Sequence, residues 1–416
     1  MNKNLRLLAA NAAWSAVTHL LGRGSIVFAA MLLARALGTN SFATYSYFQL
    51  TVSMLAAYAA MGMGVTASRF FAEFGYVDEA DSAPIGTLWI LSTIAGLVFA
   101  IIAMVLPKNW LGGGLQVHGG LFAIAIFVTA LNVVPSGGIL GLERYRDSSV
   151  VSGLSATVLI VGAFFAGRTG SVLAAMLVFI FSTFIQSFGN SFVVLRVIGW
   201  QTVLKKVSFC AADFQKVAFF AGPMFGVTLL AASGSWIVGR IILAGPSSEH
   251  GFALYAIGLQ WYALALFIPG MISRVLLPRL VRARYQIESS NRAGLLKSGI
   301  TLTLFTSVVI SSVGIFLSPW LLGLYGSTYQ MNKWGIASFL LAAIPAAPAN
   351  TIGNAIVASD GQRIWFCLSA LWLLILALVA KFFVLHGPWS GAIAHGFASL
   401  ALTLFSYFTA KKMRLL

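Results

Sequence analysis

Arg23 stands in an otherwise apolar stretch, and His19 lies four residues before it. In a helix that spacing puts both side chains on one face. A guanidinium at mid-bilayer depth costs about 2.5–3.5 kcal/mol on insertion scales, so Arg23 is expected to face a wet cavity or a partner. Its planar fork can donate to two acceptor oxygens at once, which suits a diphosphate. The plainer reading is a side chain that snorkels or caps a carbonyl, and its central depth argues against snorkelling. His19 reads either as a second cavity group or as a polar residue satisfied by a neighbouring helix.

Three more arginines complete the candidate substrate-binding set: Arg35, Arg240 and Arg274. Arg35 and Arg240 sit near the outer ends of two apolar runs. They read as cations at the mouth of a cavity or as interfacial anchors. Arg274 follows Pro269 and Gly270 and closes another run. It reads as an inner-gate phosphate contact or as part of the usual cytoplasmic excess of positive charge. Lys381 near the end of a later run reads as a snorkelling side chain.

Nothing in the chain resembles a catalytic centre. There is no Gly-x-x-x-x-Gly-Lys-Ser/Thr run for a nucleotide. Cys210 and Cys367 make neither a disulfide framework nor a metal cluster. The expectation is no catalytic residue, no metal and no cofactor.

The elements that must carry these residues follow from composition. Of 416 residues, 59% are apolar and 9% are charged, and the mean hydropathy is +0.91. A soluble domain carries about 25% charged residues. A soluble enzyme, a disordered chain and a disulfide-rich secreted module are therefore excluded. At about 20 residues per span, the chain reads as an all-α polytopic membrane protein with about twelve helices. The first apolar run is too long for a signal-peptide core and is expected to be a span. The candidates are roughly 11–34, 42–70, 85–106, 118–141, 149–166, 171–195, 216–239, 251–277, 295–317, 333–357, 364–385 and 389–410.

The net charge of +16 would suggest nucleic acid in a soluble protein. Here it reads as basic cytoplasmic loops, with no nucleic acid partner. With the N-terminus inside, nineteen of the 26 Lys and Arg fall on the cytoplasmic side. Both termini are thus expected to be cytoplasmic. The cluster Arg279, Arg282 and Arg284 is expected to attract anionic membrane lipids. The acids Glu73, Asp78, Glu79 and Asp81 are expected to solvate an inner loop or pair with those arginines.

The two halves echo each other. Arg35, Phe42-Ala43-Thr44-Tyr45 and Arg69 recur in order as Arg240, Phe252-Ala253-Leu254-Tyr255 and Arg274. Pro135 followed by Gly141-Leu142-Glu143-Arg144 recurs as Pro348 followed by Asp360-Gly361-Gln362-Arg363. In each half the proline is expected to break a helix before an inner turn. The expected organisation is two parallel six-helix lobes, 1–205 and 206–416, around a central cavity.

The segment Leu33-Ala34-Arg35-Ala36-Leu37-Gly38-Thr39-Asn40-Ser41-Phe42-Ala43-Thr44-Tyr45 resembles the opening signature of polysaccharide transporters. These belong to the multidrug/oligosaccharidyl-lipid/polysaccharide (MOP) exporter superfamily. Ala43 stands where glycine is usual. The turn Gly141-Leu142-Glu143-Arg144-Tyr145 is similar to that family's turn between helices four and five. The resemblance extends to the architecture of the whole chain and is strongest to O-antigen or exopolysaccharide repeat-unit flippases of the Wzx type. It implies a MATE-like fold in the bacterial cytoplasmic (inner) membrane. It also implies a substrate: an undecaprenyl-pyrophosphate-linked oligosaccharide moved to the outer leaflet by alternating access. Implied partners are a polysaccharide polymerase and a chain-length regulator, with the transporter itself a monomer.

For such a substrate, Trp14, Trp236, Tyr255, Trp261 and Tyr262 are candidates for stacking on sugar rings. Interfacial aromatic belts are the competing reading. Asn11, Asn132, Gln186, Asn190, Gln260, Asn350 and Asn354 are candidates for bonding sugar hydroxyls. Helix–helix hydrogen bonding is the alternative. Three other functions are weighed against export of a lipid-linked sugar, and one of them, a non-transporting assembly partner or scramblase subunit, is disfavoured by the repeat and by Arg23. A multidrug cation antiporter needs intramembrane carboxylates, and the candidate spans hold none. A membrane enzyme of polysaccharide assembly needs loop acids, and the outer loops offer Glu249 and His250.

Overall fold

The computed structural model describes residues 3–73, 84–106, 119–205, 207, 211–273, 276, 289–330, 334–359, 361–387 and 389–416. Among these residues there is no strand. In lipid the backbone must satisfy its own polar groups, and an open chain of this composition does so as helices.

The first half contains α1 (Lys3–Ala60), α2 (Met63–Glu73), α3 (Ile85–Val105), α4 (Gly119–Leu131), α5 (Val133–Gly141), α6 (Tyr145–Thr169), α7 (Val172–Ile198) and α8 (Trp200–Lys205). Then come α9 (Ala211–Leu243), α10 (Ser248–Ala265), α11 (Ser289–Leu324), α12 (Ser327–Gln330), α13 (Gly335–Val357), α14 (Gln362–Phe383) and α15 (Ser390–Lys412). Eleven helical stretches among the described residues are long and apolar enough to cross a membrane. The first, Ala13–Ala60, has 48 residues and would run about 72 Å if straight, against a hydrocarbon core of about 30 Å. It is broken at Gly38, whose φ of 75° and ψ of 174° leave the helical region. Glycine holds that left-handed φ without a Cβ clash. The two arms count as separate spans, which makes twelve.

The chain divides into two compact units, Met1–Ala232 and Ser233–Leu416. The seam falls inside α9.

In the first unit α1 packs along α6, α2 against α5, α3 against α4, and α6 against α7. The second expected span is interrupted at Met61 and Gly62, both at positive φ, before α2 begins. The fourth is interrupted at Asn132, three residues before Pro135. That break is the one the proline predicts, since Pro135 then sits in the first turn of α5, where its missing N–H costs nothing. Gly137 and Gly141 let α5 approach α2 closely. A Cβ on Gly137 would lie 2.2 Å from the Gly64 carbonyl oxygen, and one on Gly141 2.3 Å from that of Ser68. Small residues at such spacing let two backbones touch without a hydrophobic drive between them. Phe70, Phe71, Leu88, Val134, Ile139 and Val194 form the core beneath that contact, with Val217 from the start of α9.

In the second unit α13 packs against α15, α11 and α10, and α14 against α15. Pro345 and Pro348 lie inside α13, which stays one continuous helix. The expected break before the second inner turn is therefore absent. Hydroxyls from neighbouring helices donate to carbonyls of this proline-bearing helix: Ser307 to Ala343, Ser311 to Leu340, and Thr403 to Pro345. The repeated signature is buried in both units, with Phe42, Ala43 and Tyr45 in one and Phe252, Ala253 and Tyr255 in the other.

Candidate functional site

The first arm of α1 brings Ser15, Thr18, His19, Gly22, Arg23 and Ser25 to one cavity. They recur at three- and four-residue intervals, which is one helical face. α6 adds Tyr145, Ser148, Ser152 and Ser155 at the same spacing, and α7 adds Ser182, Thr183, Gln186 and Asn190. Asn132 and Ser136 come from the start of α5. The cavity holds about 340 Å³, at the small end of ligand pockets, which span about 300–1,000 Å³. Arg23 is exposed at its edge and His19 is half-buried.

A connected polar wall lines this space. Gln186 donates through Nε2 to Ser152 Oγ at 3.1 Å. Asn190 donates through Nδ2 to Asn132 Oδ1 at 2.8 Å. Ser155 and Ser182 clasp each other, each hydroxyl within 3.0 Å of the other's carbonyl. Behind the wall, Ser149 reaches the Trp14 carbonyl at 2.9 Å and Thr18 Oγ1 at 2.7 Å, tying α6 to α1. Among the described lining residues none is a carboxylate, while Arg23 carries a fixed positive charge. Such a surface can receive an anion at Arg23 and hydrogen-bond neutral polar groups elsewhere.

The structure thus brings Arg23 and His19 together with three amides from the sequence reading: Asn132, Gln186 and Asn190. It does not bring Arg35 or Arg240 to this cavity. Arg35 is exposed three residues before the Gly38 break, and Arg240 is half-buried near the end of α9. Arg274 lies outside the described residues, as do Arg279, Arg282, Arg284, Asp78, Glu79 and Asp81. Glu73 is described, and it accepts from Arg69 Nε at 2.9 Å within α2. The side chain of Asn11 is outside the described set. Trp14 is exposed, and Lys381 is exposed near the end of α14.

The second-unit aromatics have packing partners. Tyr255 Oη donates to the Ser235 carbonyl at 2.8 Å, and Trp261 Nε1 donates to Tyr325 Oη at 3.0 Å. Tyr262 Oη lies 3.3 Å from Ser399 Oγ. Trp236 is half-buried. Sequence reasoning passed over His395, which is 2% exposed. The rings of Tyr262, Tyr255, Phe339 and Trp372 surround it with centroids 5.2–6.5 Å away. Its Nε2 lies 3.3 Å from Tyr255 Oη.

The cavity serines were also passed over. Their signal was available: Ser148, Ser152 and Ser155 keep one helical face of α6 polar inside an apolar run.

No family model matches the chain. It is 23% identical over 409 residues to the "EPS I polysaccharide export inner membrane protein EpsE" of Ralstonia nicotianae, covering 93% of this chain and 90% of that one. The protein of the same name from Ralstonia solanacearum is 23% identical over 286 residues, covering 65% of this chain and 62% of that one. An inward-facing multidrug resistance MATE family transporter of the MOP superfamily superposes with a TM-score of 0.77 at 14% identity. That match covers 97% of this chain and 98% of the other. The chain has the MATE fold. A MOP superfamily transporter from Pyrococcus furiosus, described with the words "reverse polarity of binding pocket suggests different function", superposes with a TM-score of 0.72 at 13% identity. It covers 100% of this chain and 98% of its own. With its apolar helices and inner-membrane relatives, this chain is a multi-pass inner membrane protein. Relatives named as export proteins are consistent with a transporter rather than an enzyme.

Proposed function

We propose that this chain is a flippase for undecaprenyl-pyrophosphate-linked oligosaccharide repeat units in O-antigen or exopolysaccharide biosynthesis. It moves them from the cytoplasmic to the outer leaflet by alternating access of two six-helix lobes, 1–205 and 206–416, with both termini cytoplasmic. The observation that carries the reading is the cavity of the first unit, which joins Arg23 and His19 to a wall of neutral hydroxyls and amides. A diphosphate bearing sugars needs that combination: a guanidinium for the phosphate oxygens and neutral donors and acceptors for the sugar. The relatives named for polysaccharide export support the same substrate class. Arg35, Arg240 and Arg274 are proposed as further phosphate contacts along the path. A polymerase and a chain-length regulator would receive the product, and the transporter would act as a monomer.

The solved multidrug transporters of this fold favour a second reading, antiport of organic cations. Arg23 and the lack of a carboxylate among the described lining residues count against it, because a cation there meets repulsion rather than a partner.

The test is leaflet-resolved accumulation of the undecaprenyl-linked oligosaccharide in cells with and without the protein. Trapping of the complete unit on the cytoplasmic face in its absence supports the proposal. Normal outer-face delivery, with a defect in chain growth or drug resistance only, overturns it.

A further inference from the structure

The wall of the first-unit cavity contains a pair of amides that fit neither the diphosphate nor the lipid. Each asparagine side chain has one carbonyl acceptor and one NH2 donor. Asn190 donates to Asn132 Oδ1 at 2.8 Å. One mutual bond engages the NH2 of one residue and the carbonyl of the other, using one of two N–H donors and one of two lone pairs. Wholly unengaged by it are one carbonyl and one NH2, and exchanging O and N in both side chains leaves that unchanged. The remaining acceptor, Asn190 Oδ1, is buried without a hydrogen-bond partner among the described residues, in a residue only 2% exposed. Asn190 and Asn132 both line the cavity, and Gln186 stands one turn from Asn190 on α7. A buried acceptor with no partner is a standing cost that a ligand donor removes.

We propose that the Asn132–Asn190 pair recognises a neutral donor–acceptor group on a sugar ring of the transported ligand, an acetamido group or two adjacent hydroxyls. The inference rests on the reading of the ligand as a lipid-linked oligosaccharide. Of that ligand's three parts, the polyprenyl tail has no hydrogen-bonding group, and an ionised diphosphate only accepts. The sugar alone offers both an O–H or N–H for Asn190 Oδ1 and an oxygen for the free NH2. Arg23 then holds the anionic part, and the amide pair reads the neutral part. Discrimination comes from the buried polar groups, which stay unpaired when the sugar is missing.

The experiment compares three probes on the purified full-length protein in lipid nanodiscs: bare undecaprenyl pyrophosphate, the same lipid bearing one N-acetylglucosamine, and the same lipid bearing one glucose. The readout is the ratio of affinities, glycosylated over bare. In the wild type that ratio is expected to exceed one for at least one sugar. Asn190→Leu is expected to lower it about tenfold, towards one. Should Asn190→Leu fail to fold, Asn132→Ser, at a half-buried position just before α5, carries the same expectation. Arg23→Ala is expected to weaken all three probes and leave the ratio in place. An unchanged ratio in the folded asparagine variants overturns the inference while leaving the flippase reading standing. A wild-type protein that binds none of the probes overturns that reading and the inference with it.

Discussion

Phe42, Ala43 and Tyr45 in the first unit and Phe252, Ala253 and Tyr255 in the second are buried alike. The polar groups near them are used differently. In the first unit Ser148, Ser152, Gln186 and Asn190 face a cavity together with Arg23. In the second unit hydroxyls pair with one another or with backbone: Ser273 with Thr351 at 2.7 Å, Thr351 with Thr303 at 3.2 Å, and Ser311 with the Leu340 carbonyl at 2.8 Å. His395 there is closed in by four aromatic rings. A hollow in the second unit, at Met271, Leu276, Leu295 and Leu302, is walled mostly by apolar side chains, with Ser298 among them. Similar repeat signatures therefore stand beside a polar cavity in one unit and, in the other, beside hydroxyls engaged with one another or with backbone, while Gln260 Oε1, Ser390 Oγ and His395 Nδ1 are buried there without a hydrogen-bond partner among the described residues. In a membrane a polar residue has two stable fates, a partner within the helix bundle or a wet cavity.

The largest expected effect separates the two interiors. Arg23→Ala should abolish outer-leaflet delivery of the lipid-linked unit while the protein stays in the membrane. Loss of its charge-assisted bonds, about 1.5–3 kcal/mol, corresponds to about 10–160-fold in affinity. Arg23→Lys should recover part of the activity if charge suffices and little if the bidentate fork matters. Arg35→Ala and Arg240→Ala should cost less, since neither side chain reaches this cavity. Equal losses in the leaflet assay would break the contrast.

Packing sharpens it next. A Cβ on Gly258 would lie 2.1 Å from the Phe339 ring, whereas one on Gly22, at the cavity, meets nothing within 4 Å. Gly258→Val should lower stability by about 1–3 kcal/mol or more. Gly22→Ala should leave it level or raise it by up to about 1 kcal/mol. Thermal unfolding of the two purified variants makes the comparison.

Smaller effects test how the hydroxyls are bound. Ser155→Ala should cost about 1 kcal/mol, because it strips a buried partner from Ser182. The double variant Ser155→Ala/Ser182→Ala should cost less than the sum of the two singles, and a double-mutant cycle of unfolding free energies reads the coupling. Tyr255→Phe should cost about 1 kcal/mol through the lost bond to the Ser235 carbonyl. Its affinity for bare undecaprenyl pyrophosphate should match the wild type. A changed affinity would place ligand in the second unit and remove the difference between the two interiors.

The repeat teaches where sequence reading reached its limit. Pro135 and Pro348 stand in matching places, yet the helix breaks at Asn132 near the first and runs unbroken through the second. Proline removes one donor in either case. In the second helix Ser307, Ser311 and Thr403 donate to the carbonyls of Ala343, Leu340 and Pro345, beside the Leu341 and Ile344 carbonyls that the two prolines leave without an N–H.

Hydropathy alone determined that the chain is helical, polytopic and divided into about twelve spans, because lipid leaves so few ways to satisfy a backbone. The sequence also singled out Arg23 with His19, because a cation at that depth has so few tolerable surroundings. Tertiary structure decided the rest of the site. Asn132, Ser152, Gln186 and Asn190 come from three helices, and each alone reads equally well as helix–helix glue. Their donors and acceptors are all short-range, so only the packing of α1, α5, α6 and α7 determines which find one another and which, like Asn190 Oδ1, are left buried without a partner among the described residues.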